Sequence, residues 1–185
     1  NFARELRILS RIRHPNVLNF LGYALWENHH YYIASEWMER GDLKSCISIG
    51  LTMLELFEMS TGIAKGLCYL HEKDIVHGDM KSLNVLVSSS GEPVVADFGL
   101  ARMAESLWSK GYYSTVTVRA SLRWVPHEFY FVDDNQTFRP NQKTDVWSFG
   151  MTLLVSLNFK LKDLVLISPR SGTSYSRRPV CTHKK

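Results

Sequence analysis

Cysteine is scarce in this sequence and shows no structural spacing. Cys46, Cys68 and Cys181 are its three cysteines in 185 residues, far apart and without a Cys-x-x-Cys pair. That excludes a disulfide framework and argues against a zinc knuckle. A reducing, intracellular setting is expected, hence a cytoplasmic one, with attachment to a membrane-spanning parent left open. No apolar run reaches the roughly 20 residues needed to cross a bilayer, and the first residues lack the pattern of a secretory signal. No membrane segment is expected in this chain. Internal repeats are also absent. The formal charge is +4, but the body of the chain carries no basic excess. Residues 158–185 hold seven Lys and Arg against the single Asp163, whereas residues 1–157 hold fifteen against seventeen Asp and Glu. The positive charge is a property of the tail, so no nucleic-acid partner is expected.

What the chain does have is enough apolar material for a core, 45% hydrophobic and 12% aromatic. Phe2, Leu6, Leu9 and Ile12 fall at helical spacing, ended by His14-Pro15-Asn16. Two β-rich runs, Val17–Leu25 and Tyr31–Met38, predict an antiparallel hairpin. Arg40-Gly41-Asp42 stops the second strand and opens a short helix. Thr52, with Glu55 three residues later, is a capping-box signature. It starts a long helix whose stripe is Leu56, Ile63, Leu67 and Leu70, joined by Phe57 and Ala64. A short strand at Asn84–Val87, a turn over Ser88–Glu92 and a strand at Pro93–Ala96 follow. Residues 104–122 are rich in hydroxyls, and Val146–Leu157 is a second apolar helix. Strands and helices in separate parts of the chain indicate an α+β protein.

Chemistry concentrates between His77 and Gly99. Asn84 and Asp97 lie equally far from the middle of the Ser90-Gly91 turn, so the register predicts that they face each other. Two hard oxygen donors at one hairpin mouth suit a magnesium ion held together with phosphate oxygens. Asp79, on the loop entering that mouth, could accept the proton of an attacking hydroxyl, and Lys81 could offset the charge of a transferring phosphoryl group. His71-Glu72 with His77 does not make a zinc helix, because the second histidine comes six residues after the first and not four.

The stretch His77-Gly78-Asp79-Met80-Lys81-Ser82-Leu83-Asn84 resembles the catalytic loop of protein kinases, and Asp97-Phe98-Gly99 resembles their D-F-G triplet. The resemblance is collinear over about residues 1–155 and is closest to the tyrosine-kinase-like group of Ser/Thr kinases. NFARELRIL is similar to the family's αC helix, YYIASEWMERGDL to its last N-lobe strand and hinge, SLRWVPHE to the end of its activation segment, and KTDVWSFGM to the start of its αF helix. The resemblance implies a partial, β-rich N-lobe remnant over residues 1–38, a truncated and mainly helical C-lobe over 39–157, and a basic tail unlike a kinase over 158–185. It implies ATP and Mg²⁺ as cofactors and a protein as substrate. Asp79 would be the catalytic base and Lys81 its phosphate-contacting neighbour. Asn84 and Asp97 would be the magnesium ligands. Glu36 and Met38 would offer backbone groups to adenine, with Leu86 beneath the ring. Leu9, Phe20, His77 and Phe98 would stack as a spine anchored by Asp145. Lys81 and Ser121 favour Ser/Thr over Tyr as acceptor.

Departures from the family pattern set the alternative. Gly78 replaces a frequent arginine, and Val125-Pro126-His127-Glu128 moves the expected proline. No Gly-rich loop and no lysine partner for Glu5 precede residue 1. The sequence is therefore expected to be an incomplete domain, inactive as it stands, and an inert or pseudokinase-like interaction module is the competing reading.

Overall fold

The structure is a computed structural model that describes residues 10–26, 30–98, 122–127 and 140–166. Most of the first expected helix, including Glu5 and Leu9, lies outside these residues. So do Gly99, residues 104–121, Glu128 and the tail beyond Leu166.

Strands β1 (Phe20–Trp26) and β2 (His30–Ser35) form the first antiparallel hairpin. Leu21 is the extra residue of a bulge, because Phe20 pairs with Ser35 while Gly22 pairs with Ala34. The strands are shorter than expected at their outer ends. Val17 instead bridges His14 and, in parallel, Val95, and residues 36–38 leave β2 in irregular backbone.

Helix α1 (Leu43–Ile49) starts where Asp42 accepts the Ser45 N–H at 2.9 Å and stops at Gly50, whose φ of 123° suits glycine. Helix α2 (Met53–Glu72) opens with both halves of the expected capping box. Thr52 Oγ1 accepts the Glu55 N–H at 3.1 Å, and the Glu55 carboxylate accepts the Thr52 N–H at 2.7 Å. Its buried stripe is Leu56, Met59, Gly62, Ile63, Gly66, Leu67 and Leu70. Phe57 and Ala64 are corrections to the expected stripe, since both are exposed. Each is one residue past a buried position, about 100° round the helix.

The two glycines explain why α2 lies so close to its neighbours. A Cβ on Gly66 would sit 2.4 Å from the Asn16 carbonyl oxygen, and one on Gly62 would sit 2.5 Å from the Pro93 ring. Beneath them, strands β3 (Val85–Val87) and β4 (Pro93–Val95) make the second hairpin. The segment before β1 extends it. The Val95 N–H donates to the Asn16 carbonyl, the Leu18 N–H donates to the Val95 carbonyl, both at 2.9 Å, and the Asn16 amide donates to the Pro93 carbonyl. Val17, Ile63, Leu70, Val85, Val87 and Val95 are core residues here.

Helix α3 (Gln142–Leu166) begins at Asn141, whose side chain accepts the Lys143 and Thr144 N–H groups. It starts before Val146 and continues past Leu157, where the sequence offers no breaker until Ser168-Pro169. Thr152 and Ser156 are buried on it and each donates to the carbonyl four residues back.

Candidate active site

The loop from Ile75 to Asn84 leaves α2 and enters β3 through a 3-10 turn at Ser82–Asn84. Gly78 lies on it with φ of 81°, a left-handed conformation in which glycine is unstrained. From α3, Asp145 reaches under this loop, 1% exposed. Its Oδ2 accepts the His77 N–H and bonds His71 Nε2, and its Oδ1 accepts the Gly78 N–H, all at 2.8 Å. One buried carboxylate thus satisfies two orphan backbone donors and ties the loop to helices α2 and α3.

His77 is fully buried, and its Nε2 lies 2.9 Å from the Ala96 carbonyl while its Nδ1 accepts the Asp79 N–H at 3.3 Å. Those contacts require a neutral ring protonated on Nε2. Burial lowers the imidazole pKa below its usual value, against the opposing pull of Asp145, the Ala96 carbonyl, Asp79 and Asp97. The ring therefore clamps the loop to the end of β4 without carrying charge. Phe98 is partly buried and packs against the hydrophobic core. Phe20 is half-buried, and Leu9, the other expected spine member, lies outside the described residues.

Asp79, Lys81 and Asn84 come together. Lys81 Nζ forms an ion pair with Asp79 Oδ2. The Asn84 amide donates to the Asp79 carbonyl at 2.8 Å and to Asp79 Oδ2 at 3.1 Å. With its NH₂ group so engaged, Asn84 keeps its side-chain oxygen as a hard donor. Asp97 follows β4 with φ of 56° and is exposed. A non-glycine residue there carries local strain, which a turned-out functional carboxylate can justify.

The direct pairing of Asn84 with Asp97 is not observed. Val85 faces Val95, and the Ala96 N–H donates to the Asn84 carbonyl at 2.9 Å, so Ala96 stands opposite Asn84 and Asp97 lies one residue beyond. The turn is the cause. Ser88 pairs with Glu92 around three loop residues, the last being Gly91 with φ of 91°, where the expected register assumed two.

At the other end of the site, Glu36 and Met38 lie on the link between β2 and α1. Glu36 Oε1 accepts from the Asn19 amide at 3.0 Å, and the Met38 carbonyl accepts the Gly41 N–H at 3.1 Å. No hydrogen bond among the described residues occupies the Met38 N–H or the Glu36 carbonyl. Leu86 is the half-buried residue of β3 between buried Val85 and Val87. Residues 40–42 connect the link to the hairpin, the Arg40 N–H donating to the Val87 carbonyl and the Val87 N–H to the Gly41 carbonyl.

Sequence reasoning missed His71 as a positioning residue. Its partner Asp145 is 74 positions away, so no local spacing reveals the pair. Ser121, expected to favour Ser/Thr acceptors, lies outside the described residues.

Comparison with known proteins identifies the family. The family model for protein tyrosine and serine/threonine kinases matches residues 1–159. A probable serine/threonine-protein kinase of Dictyostelium discoideum is 35% identical over 163 residues, covering 86% of this chain and 26% of that protein. A tyrosine-protein kinase receptor of Caenorhabditis elegans is 35% identical over 156 residues, covering 82% of this chain and 14% of the receptor. Interleukin-1 receptor-associated kinase 1 of Mus musculus is 32% identical over 170 residues, covering 85% and 23%. The chain thus spans about a quarter or less of the length of these relatives. With the family model matching residues 1–159 of its 185 and relatives 35% identical over most of its length, the chain belongs to the protein tyrosine and serine/threonine kinase family.

Proposed function

We propose that this site transfers a phosphoryl group from ATP to Ser and Thr hydroxyls of a protein substrate. The observation that carries the reading is the convergence of Lys81 and Asn84 on one carboxylate oxygen of Asp79. Two donors fix the carboxylate's orientation, so it can take the proton of an acceptor hydroxyl without first reorganising. Lys81, two residues after that base, brings a cation to where the acceptor oxygen would gain phosphate charge. Its position beside Asp79 supports Ser/Thr as acceptors. Names of the relatives divide on this point, since one is a serine/threonine-protein kinase and another a tyrosine-protein kinase receptor.

The residues present fit Mg-ATP. Among the described residues no group of three or more His, Cys, Asp or Glu forms a metal cage by itself. Asn84 and Asp97 would hold magnesium as two hard oxygen donors, leaving its other positions to phosphates and water, as this ion prefers. The Glu36 carbonyl and Met38 N–H would meet the adenine edge, with Leu86 under the ring. Mg-ATP, when bound, supplies the phosphoryl group and the divalent charge. His77 and Asp145 position the loop and stay out of the proton transfer. The kinase part is assigned to residues 1–157 and the tail to 158–185. A cytoplasmic setting suits this chemistry and a sequence with three scattered cysteines.

A thermal-shift titration with Mg-ATP tests the reading. Ligand bound only by the native state raises its stability. Millimolar Mg-ATP should raise the Tm, and Asp97→Ala should remove the magnesium-dependent part of the rise. An unchanged Tm would overturn nucleotide binding. In the enzyme that contains this site, labelled phosphate should enter protein Ser and Thr and be lost in Asp79→Asn. Label entering Tyr alone would overturn the acceptor assignment, and a Tm shift without label would leave a non-transferring nucleotide-binding module.

A further inference from the structure

Helix α3 is apolar on both of its faces. Residues 146–159 include no charged side chain, whereas a surface helix of a globular protein turns its charged residues outward. Asp145, Thr152 and Ser156 are buried, and this side of the helix holds the catalytic loop. About 180° round the helix, Trp147, Gly150, Leu154, Leu157 and Leu161 are exposed, the four side chains by 36–51%. Their spacing is three, four, three and four residues. With that repeat two helices keep one seam facing each other over several turns. Gly150 leaves a gap in the seam, since a Cβ there would meet nothing within 4 Å. Leu161 carries the seam past residue 159, where the match to the family ends.

We propose that this seam is the interface of a homodimer, in which α3 of a second copy of the chain lies antiparallel across it. The seam is self-complementary in that direction. Gly150 and Leu161 are equally far from the midpoint between residues 155 and 156, and so are Leu154 and Leu157. A two-fold axis there sets Leu154 of each copy against Leu157 of the other, and Leu161 of each into the gap at Gly150 of the other. In a parallel pair the two gaps would face each other and leave a void. Charge selects the same direction. Residues 158–185 carry a net +6 and residues 1–157 a net −2. Antiparallel helices start each basic tail beside the weakly acidic body of the other copy, whereas parallel helices would bring the two tails together. Covering these side chains, with Val146 exposed beside them, removes roughly 450 Å² per copy and roughly 900 Å² in all, against about 1,000 Å² for a specific interface. A contact of that size makes a weak dimer, with a Kd on the order of 10 µM. The catalytic loop stays outside the interface, because Asp145 holds it from the opposite side of α3. The dimer is independent of the phosphoryl-transfer reading.

Sedimentation velocity of the 185-residue chain over a dilution series provides the test. The mass should rise from 21.3 kDa towards twice that value as concentration passes through the micromolar range. The double variant Leu154→Glu, Leu157→Glu should stay monomeric at every concentration. Gly150→Leu is the more specific variant. Its added Cβ meets nothing within its own chain, and leucine favours the helix. It nevertheless fills the gap, and should weaken association about tenfold. Copies carrying Gly150→Cys, mixed with copies carrying Leu161→Cys in the same Cys68→Ser, Cys181→Ser background, should form a disulfide-linked pair on oxidation. A chain that stays monomeric throughout the series would overturn the dimer. Association left unchanged by Gly150→Leu, with native circular dichroism, or by the double variant would overturn the seam as its interface. Cross-linking confined to pairs of Gly150→Cys copies would overturn the antiparallel direction.

Discussion

The two hairpins of this molecule are similar in composition and opposite in environment. In β1–β2, Leu21, Tyr23, Leu25, Tyr32 and Ile33 are each more than half exposed, whereas Val85, Val87, Val94 and Val95 of β3–β4 are 5% exposed or less. Both are apolar antiparallel pairs. The difference lies in what covers them, and a two-stranded hairpin without cover is marginal at best. Helix α2 lies directly on β4 and the Asn16 segment because Gly62 and Gly66 remove the side chains that would hold it off. No comparable layer among the described residues lies on β1–β2. The consequence for function is a division of labour. The residues proposed for proton transfer and magnesium stand at the mouth of the buried hairpin, while the proposed adenine-edge groups at Glu36 and Met38 hang from the exposed one.

The largest test of that contrast is Asp145→Ala. It leaves the His77 and Gly78 N–H groups buried without an acceptor and removes the partner of His71. Breaking a buried charged network of this kind costs about 3–5 kcal/mol. Tyr32→Ser in the exposed hairpin should change stability by no more than about 0.5 kcal/mol. Urea midpoints of the two variants read the difference. Similar losses in both would mean that the buried hairpin is not where the stability resides.

A matched pair of glycines gives a smaller, cleaner comparison. Gly66→Ala drives a methyl against the Asn16 carbonyl oxygen and should cost about 1–3 kcal/mol. Gly22→Ala, in β1, meets nothing within 4 Å. It should leave stability unchanged or raise it by up to about 1 kcal/mol through the unfolded state. A neutral Gly66→Ala would show that α2 can move off β4 freely, against the close packing described above.

These elements also separate what the sequence made legible from what it hid. The capping box at Thr52 and Glu55 and the period of α2 were readable because both are local and each repeats one physical signal. The stripe erred by one position at Phe57 and Ala64, since an apolar residue beside a stripe looks the same on paper as one within it. The register of β3–β4 was off by one residue because the run Ser88-Ser89-Ser90-Gly91 accommodates a two- or a three-residue loop. Only the left-handed Gly91 decides between them. Asp145 was identified through family resemblance, but its bond to His71 depends on where two helices pack.

The mildest expected effect is a pH slope set by one proton. Burial keeps His77 neutral, with a native pKa below the ordinary value of 6.5. As pH falls through about 6.5 the unfolded chain takes up a proton that the native chain refuses, so the unfolded state binds more protons. Stability from this group is complete above that pH. It declines between 6.5 and the lowered native value, and is flat again below it. Urea midpoints measured across that range should show the decline, and it should shrink in His77→Gln, which keeps a donor for the Ala96 carbonyl but cannot titrate. The loss should also be local. Because the neutral ring joins Asp79 to the end of β4, acid should speed hydrogen exchange at Val95 and Ala96 before the β1–β2 amides respond. An unchanged slope in His77→Gln would assign the acid sensitivity to other groups and reduce His77 to a packed side chain. A slope that disappears with the variant would make the buried hairpin both the firmer of the two and the one that acid loosens first.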